Sequence, residues 1–293
     1  MGSCTFAAFC YTSAMLAIGS FKLHLLQTES MLLDGGAMFG VIPKLLWSHE
    51  IPADEQNRIR MPTRPLLIET GKRVILVDAG IGDKGDAKFN RIYDVRGRPL
   101  FEELQRHGFA PDQITDVVIT HFHFDHCGGL TRMVNDKPVL TLPKARYHVQ
   151  KQAVENTVSP NPREQSSFLP FNVEPILDSD RVEQLEGNTA FADGIELVTQ
   201  FGHTIAMQIV KITAEGRTFL YPCDTIPSSA HLRISWVPAY DILPVVTMRE
   251  KNSLLRQAVL DQWTLIYAHD PKIEASTIEF NGKHFGMGQT VVI

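Results

Sequence analysis

Apolar residues in this chain collect into short blocks separated by Gly, Pro, Asn and Asp, a pattern that predicts many short strands and few long helices. Residues 66–69 and 73–78 are apolar runs flanking Gly71-Lys72, which predicts a hairpin. Residues 114–120, 189–199, 208–213, 218–221 and 264–268 read as further strands, with a first one at 21–26. The turn Ala214-Glu215-Gly216 links 208–213 to 218–221. Helical spacing is clear in two places. Pro99 opens a segment with Leu100, Phe101 and Leu104 on one face and Gly108 at its end. Thr247-Met248-Arg249-Glu250 has the form of a capping box and predicts a helix through Leu260, with Leu254, Leu255, Ala258 and Val259 on its apolar face. Residues 150–180 are rich in Pro, Asn and Ser. They read as a long irregular insertion with a short helix near 150–156, of the kind that lines a pocket or closes over one. Residues 271–293 read as a C-terminal hairpin or tail.

Composition narrows the class. The 293 residues are 44% hydrophobic, enough for one large core, and no repeat or low-complexity tract divides them. One domain over 21–293 is expected, preceded by a loosely held extension at 1–20. That extension has an apolar run but no Lys or Arg before it, so the charged start of a secretion signal is missing. A cytoplasmic location is expected, with secretion through 1–20 as the lesser alternative. The net charge of −5, with acids and bases interspersed, argues against a nucleic-acid partner, and no apolar stretch reaches membrane-spanning length. The expected partner is a small-molecule substrate, and a homodimer is allowed. The four Cys form no convincing disulfide framework: Cys4 and Cys10 lie in the extension, while Cys127 and Cys223 read as small buried residues.

The chemistry concentrates at residues 120–129. His121, His123, Asp125 and His126 stand as H-x-H-x-D-H between the run 114–120 and Gly128-Gly129, which reads as a turn. Neutral imidazole and carboxylate are the donors that zinc, manganese and iron accept, and a loop at a strand end can present them together.

This motif resembles that of the metallo-β-lactamase superfamily. Three further matches follow in the order which that superfamily expects, each after an apolar or β-branched run: Gly202-His203-Thr204, Cys223-Asp224 and His269-Asp270. The resemblance implies an α/β fold, a four-layer αββα sandwich of two mixed sheets face to face with helices outside. It implies two divalent ions per chain, zinc first, with manganese, iron or cobalt as alternatives. His121, His123 and His203 would hold one ion, and Asp125, His126 and His269 the other. Asp224 would bridge them, and Asp78, at the end of the run 73–78, would support the metal loop from behind. In some β-lactamases of the superfamily a Cys near the Asp224 position is a ligand, which makes Cys223 an alternative. The early segment with Met38, Phe39 and Trp47, and the segment after Asp224 with His231 and Tyr240, resemble regions that approach substrate in lactonase-like and organophosphate-hydrolase-like members.

The implied chemistry is hydrolysis by a hydroxide shared between two ions, with Asp125 and Asp224 as the catalytic carboxylates. The full ligand set most resembles lactonases acting on acyl-homoserine lactones. Thioester and phosphotriester hydrolases are the alternatives, and a mononuclear iron persulfide dioxygenase a more distant one. Two departures stand out. Gly-His-Thr continues as Ile205-Ala206-Met207 rather than Pro-Gly-His, and the Tyr that lactonases often place three residues after the bridging Asp is Pro227. Tyr221 and Tyr240 are the candidates to replace it.

Overall fold

A computed structural model of the chain describes residues 15–293. Two seven-stranded mixed sheets face each other. The first runs Leu16–Ile18, Phe21–Leu25, Leu66–Glu69, Val74–Val77, Asp116–Val118, Arg146–Gln150 and Val182–Leu185 in spatial order. The second keeps chain order: Thr189–Ala192, Ile195–Gln200, Met207–Ala214, Arg217–Tyr221, Thr264–Ile266, Ala275–Phe280 and Phe285–Val291.

The central strands are apolar on both faces because both faces are covered. Leu66, Ile68, Ile75, Val77 and Val118 pack between the sheets against Leu197, Ile209, Phe219 and Leu265. Their alternate neighbours Leu67, Leu76 and Val117 pack outward onto Leu100, Leu104, Val173 and Ile176, which belong to helices Leu100–Arg106 and Pro170–Leu177. On the other side, Leu255 and Ala258 of helix Pro244–Leu260 join the core cluster of the second sheet. The result is the expected αββα sandwich.

Several boundaries differ from the sequence expectation. Of the expected extension, Leu16–Ile18 is a strand paired antiparallel with Phe21–Leu25; the apolar start with Cys4 and Cys10 lies outside the described residues. The run 189–199 is two strands, folded back at Gly194 with φ +75°. Residues 150–180 are more regular than expected, with helices Lys151–Val158 and Pro170–Leu177. The hairpin at 66–77 and the C-terminal hairpin Ala275–Phe280/Phe285–Val291 form as anticipated.

The capping box does not form. The long helix starts earlier, with Pro244 at its first turn, so Thr247 is interior and fully buried. Glu250 instead accepts the backbone N–H groups of Phe201 (2.7 Å) and Gly202 (3.1 Å). Gly128-Gly129 is not a left-handed turn either. Gly128 has helical φ and ψ, and a Cβ on it would fall on the Ile81 carbonyl. The pair is glycine because the loop 79–81 lies directly against it.

Candidate metal centre

Every expected ligand lies just beyond the C-terminal end of a strand, and all those ends meet along one edge of the sandwich. His121, His123, Asp125 and His126 follow Asp116–Val118, and His203 follows Ile195–Gln200. Asp224 follows Arg217–Tyr221, and His269 follows Thr264–Ile266. Asp78 ends Val74–Val77 in a left-handed conformation, φ +60°, which Asp tolerates better than most residues. Its carboxylate accepts the Thr120 N–H at 2.9 Å and the Thr120 hydroxyl at 3.0 Å, pinning the start of the metal loop. Gln208, fully buried, ties this loop to the second sheet by donating to the Ile119 and His148 carbonyls at 2.8 and 3.0 Å.

Hydrogen bonds fix the tautomer of four of the five imidazoles. His126 Nδ1 faces Asp78 Oδ2 at 2.9 Å, and His203 Nδ1 faces Asp241 Oδ1 at 2.8 Å. His269 Nδ1 faces the Pro62 carbonyl at 2.8 Å. These partners only accept, so Nδ1 carries the proton in each case. Thr120 spends its own proton on Asp78 and so accepts from His121 Nδ1 at 3.0 Å. His123 Nε2 makes no hydrogen bond, its nearest carboxylate being Glu164 Oε1 at 3.5 Å, while its Nδ1 faces His203 Nε2.

Four lone pairs are thereby aimed at one small volume. His203 Nε2 is 3.1 Å from His123 Nδ1, and His269 Nε2 is 3.1 Å from His126 Nε2. Lone pairs held as close as the second pair repel unless a proton or a cation lies between them. His121 Nε2 is buried with no hydrogen-bond partner. Cys223 with His121 and His126 makes one set of ligand atoms within 4.8 Å of one another; the other two are His121, His123 and His203, and Asp125, His126 and His269. Asp224 stands between these last two. Its Oδ2 is 3.2 Å from His203 Nε2 and 4.0 Å from His121 Nε2, while its Oδ1 is 3.4 Å from His126 Nε2 and 3.2 Å from His269 Nε2. Burial would raise the Asp224 pKa, but positive charge on the imidazoles of His126, His269 and His203 outweighs it and holds the group well below the carboxylate range. Against burial, Asp224 in turn draws His126 and His203 up, so this carboxylate calls for positive charge beside it, from ring protons or from a cation. For His121, burial, reinforced by the neighbouring imidazoles of His126 and His123, holds the ring neutral. Imidazole lone pairs and ionised carboxylates in tetrahedral reach are a donor set that fits divalent zinc-like ions.

Cys223 closes the site from behind. Its sulfur lies 3.2 Å from Thr120 Oγ1 and 3.6 Å from His126 Nδ1, atoms already committed to Asp78. Burial pushes its thiol up to about 12. Cys223 faces the Nδ1 side of His126 and His121, at 3.6 and 3.9 Å, the side whose protons go to Asp78 and Thr120, so the ring lone pairs on Nε2 point away from it.

A cavity of about 300 Å³ opens onto the centre. His123, Asp125, His203, Asp224 and His269 form its floor, and Met31, Leu33, Met38 and Phe124 an apolar wall. Tyr93, Tyr240, Arg163, Glu164 and Ser167 supply the polar positions, the last three from the insertion at 150–180. Burial first, and the nearby Asp125 carboxylate, push both phenols up, so both keep their protons.

Of the expected substrate residues, Met38 and Tyr240 line this cavity, while Phe39, Trp47 and His231 do not. Phe39 stacks on Trp47 (centroids 5.2 Å apart) and on His231 (4.7 Å), and all three are buried in a separate apolar cluster. His231 is spent on Ser228 Oγ and the Met38 carbonyl, and burial lowers its pKa to about 4. These rings hold the loop that carries Met38. Tyr221 is also out of reach: its hydroxyl donates to the Arg64 carbonyl at 3.1 Å. The Pro227 carbonyl accepts the His269 N–H at 2.9 Å, so that position serves the ligand backbone. Sequence reasoning missed Asp241, Glu164, Tyr93 and Arg163, isolated polar residues without a motif around them.

Comparison with known proteins agrees with this construction. The family model described as "Metallo-beta-lactamase superfamily" matches residues 60–269. A solved probable metal-dependent hydrolase from Staphylococcus aureus is 30% identical, with a TM-score of 0.86 over 94% of this chain and 100% of that one. AidC, a dizinc quorum-quenching lactonase solved with a product, shares the fold at TM-score 0.80 and 18% identity, covering 96% of this chain and 98% of that one. An N-acyl homoserine lactonase from a Bacillus species is 27% identical over 53% of this chain and 60% of its own length, so the chain spans about three fifths of that relative. The chain belongs to the metallo-beta-lactamase superfamily.

Proposed function

We propose that this chain is a metal-dependent hydrolase that holds two divalent ions, zinc first, and opens a lactone of the acyl-homoserine type or a related ester. The observation that carries the two-metal reading is Asp224, whose two carboxylate oxygens each face a different ligand set. The lactone substrate is supported by similarity to proteins named as lactonases and by the apolar wall of the cavity.

When bound, such a pair of ions supplies Lewis acidity toward a carbonyl and an activated water at neutral pH. His121, His123 and His203 would hold one ion and Asp125, His126 and His269 the other, with Asp224 between the two sets. Met31, Leu33, Met38 and Phe124 receive the acyl chain and exclude water from it. The phenols of Tyr240 and Tyr93 donate to the substrate carbonyl oxygen, in place of the hydroxyl missing at Pro227. Asp125, on the cavity floor, would take the proton released by the attacking water on its free carboxylate oxygen and pass it to the leaving alkoxide, ending ionised again.

The test is ring opening of a medium-chain acyl-homoserine lactone by the metal-loaded protein, with Asp224→Ala as control and metal content measured on both. Fast opening with two ions per chain, lost in the variant, is the expected result. Two bound ions without ring opening would move the substrate to a thioester or phosphotriester. One iron per chain would overturn the two-metal reading in favour of persulfide dioxygenation.

A further inference from the structure

The two ligand sets are supported by different carboxylates from different parts of the chain. Asp78 bonds His126 of one set directly, at 2.9 Å, and reaches His121 of the other only through Thr120. In the other set, His203 is served by Asp241 at 2.8 Å. Asp241 is 1% exposed, and its second oxygen has no hydrogen-bond partner, so the contact with His203 is the one hydrogen bond its side chain makes among the described residues. The backbone around it grips the same ligand: Ile242 N–H donates to the His203 carbonyl at 3.1 Å and Leu243 N–H to the Gly202 carbonyl at 2.9 Å. Tyr240, the preceding residue, lines the cavity, and Arg163 donates across to the carbonyl of Ala239.

We propose that Asp241 is a positioning residue dedicated to the ion held by His121, His123 and His203, and that it couples the substrate-facing loop at 239–240 to that ion alone. An isolated buried carboxylate is costly, and here it is retained against a single imidazole nitrogen. Its effect is to hold the His203 proton on Nδ1 and the ring in one orientation, so that Nε2 presents its lone pair beside Asp224 Oδ2 at 3.2 Å. Asp78 does the same for the other ion through His126, but it also reaches His121 through Thr120, so Asp241 is the carboxylate confined to one set. The inference rests on the two-metal reading.

Zinc content of the purified full-length chain against buffered free zinc tests this, comparing wild type with Asp241→Asn, Asp241→Glu and Asp78→Asn. Melting temperatures are taken on chelator-stripped protein. The expected result is that Asp241→Asn weakens one of two ions by about 10–100-fold, the other unchanged, with the metal-free melting temperature close to wild type. Asp241→Glu should recover part of the loss. Asp78→Asn, which touches His126 directly and His121 by way of Thr120, should weaken both ions, in contrast to Asp241→Asn. Unchanged affinity for both ions in Asp241→Asn would overturn the proposal. So would equal weakening of both ions together with a fall in metal-free melting temperature, the signature of a purely structural role. A wild-type chain that binds no zinc would overturn the two-metal reading itself, and this inference with it.

Discussion

The Ile81 carbonyl occupies the space a side chain on Gly128 would need, so the metal loop and the loop after Asp78 are in backbone contact. Ala79 N–H donates to the His126 carbonyl at 2.7 Å across the same seam. Gly128→Ala must therefore push the ligand loop off its support. Overpacking of this kind costs about 1–3 kcal/mol. A lower urea midpoint in metal-free protein, with weakened zinc binding, is expected; an unchanged midpoint would mean that the seam yields freely.

Tyr240→Phe and Tyr93→Phe remove a hydroxyl each while keeping the ring. Loss of one donor to a developing oxyanion should lower kcat by about tenfold or more, with two ions still bound. If only KM rose, the phenols would be binding the acyl chain rather than the carbonyl.

Lys251 is fully buried in the long helix, and its ammonium donates to the carbonyls of His231 (2.9 Å), Arg233 (3.0 Å) and Trp236 (2.7 Å). Burial draws its pKa down to about 7. Lys251→Met leaves three carbonyls without a donor and should cost at least about 2 kcal/mol. Chemical denaturation gives the number, and a neutral substitution would show that water reaches the loop.

Asp116 links three parallel neighbours of the first sheet, accepting from Arg73 Nε at 2.7 Å and pairing with His148 Nε2 at 2.9 Å. Burial would raise its pKa, but His148, Arg73 and Thr115 outweigh it and hold the group far below the usual carboxylate value. A carboxylate depressed by folding stabilises the native state above its unfolded pKa, about 3.9, and that contribution is lost as pH falls below it. Stability measured from pH 6 to pH 2 should drop more steeply in wild type than in Asp116→Asn. Parallel curves would remove Asp116 from the account of acid unfolding.

What could be read from the chain follows from how local each signal is. The ligands His121 to His126 are contiguous, and His203, Asp224 and His269 each follow a run apolar enough to mark a strand, so site and fold were legible together. Asp241 and Glu164 have meaning only through partners far away in the chain. The capping box misled because Thr247 and Glu250 have the right spacing, yet Pro244 had already started the helix. Phe39 and Trp47 misled because large apolar residues in a loop suggest a ligand, whereas here they stack on each other and on His231.

Arg163 and the Ala239 carbonyl join two walls of the cavity that come from connections, the helical insertion and the approach to the last helix, while the floor stands on strand ends. The same connections carry Asp241, bonded to His203, and Glu164, 3.5 Å from His123, so the walls are free to change only around these two acids. New substrates can be explored by exchanging the rest of the connections, with the chemistry held constant beneath them.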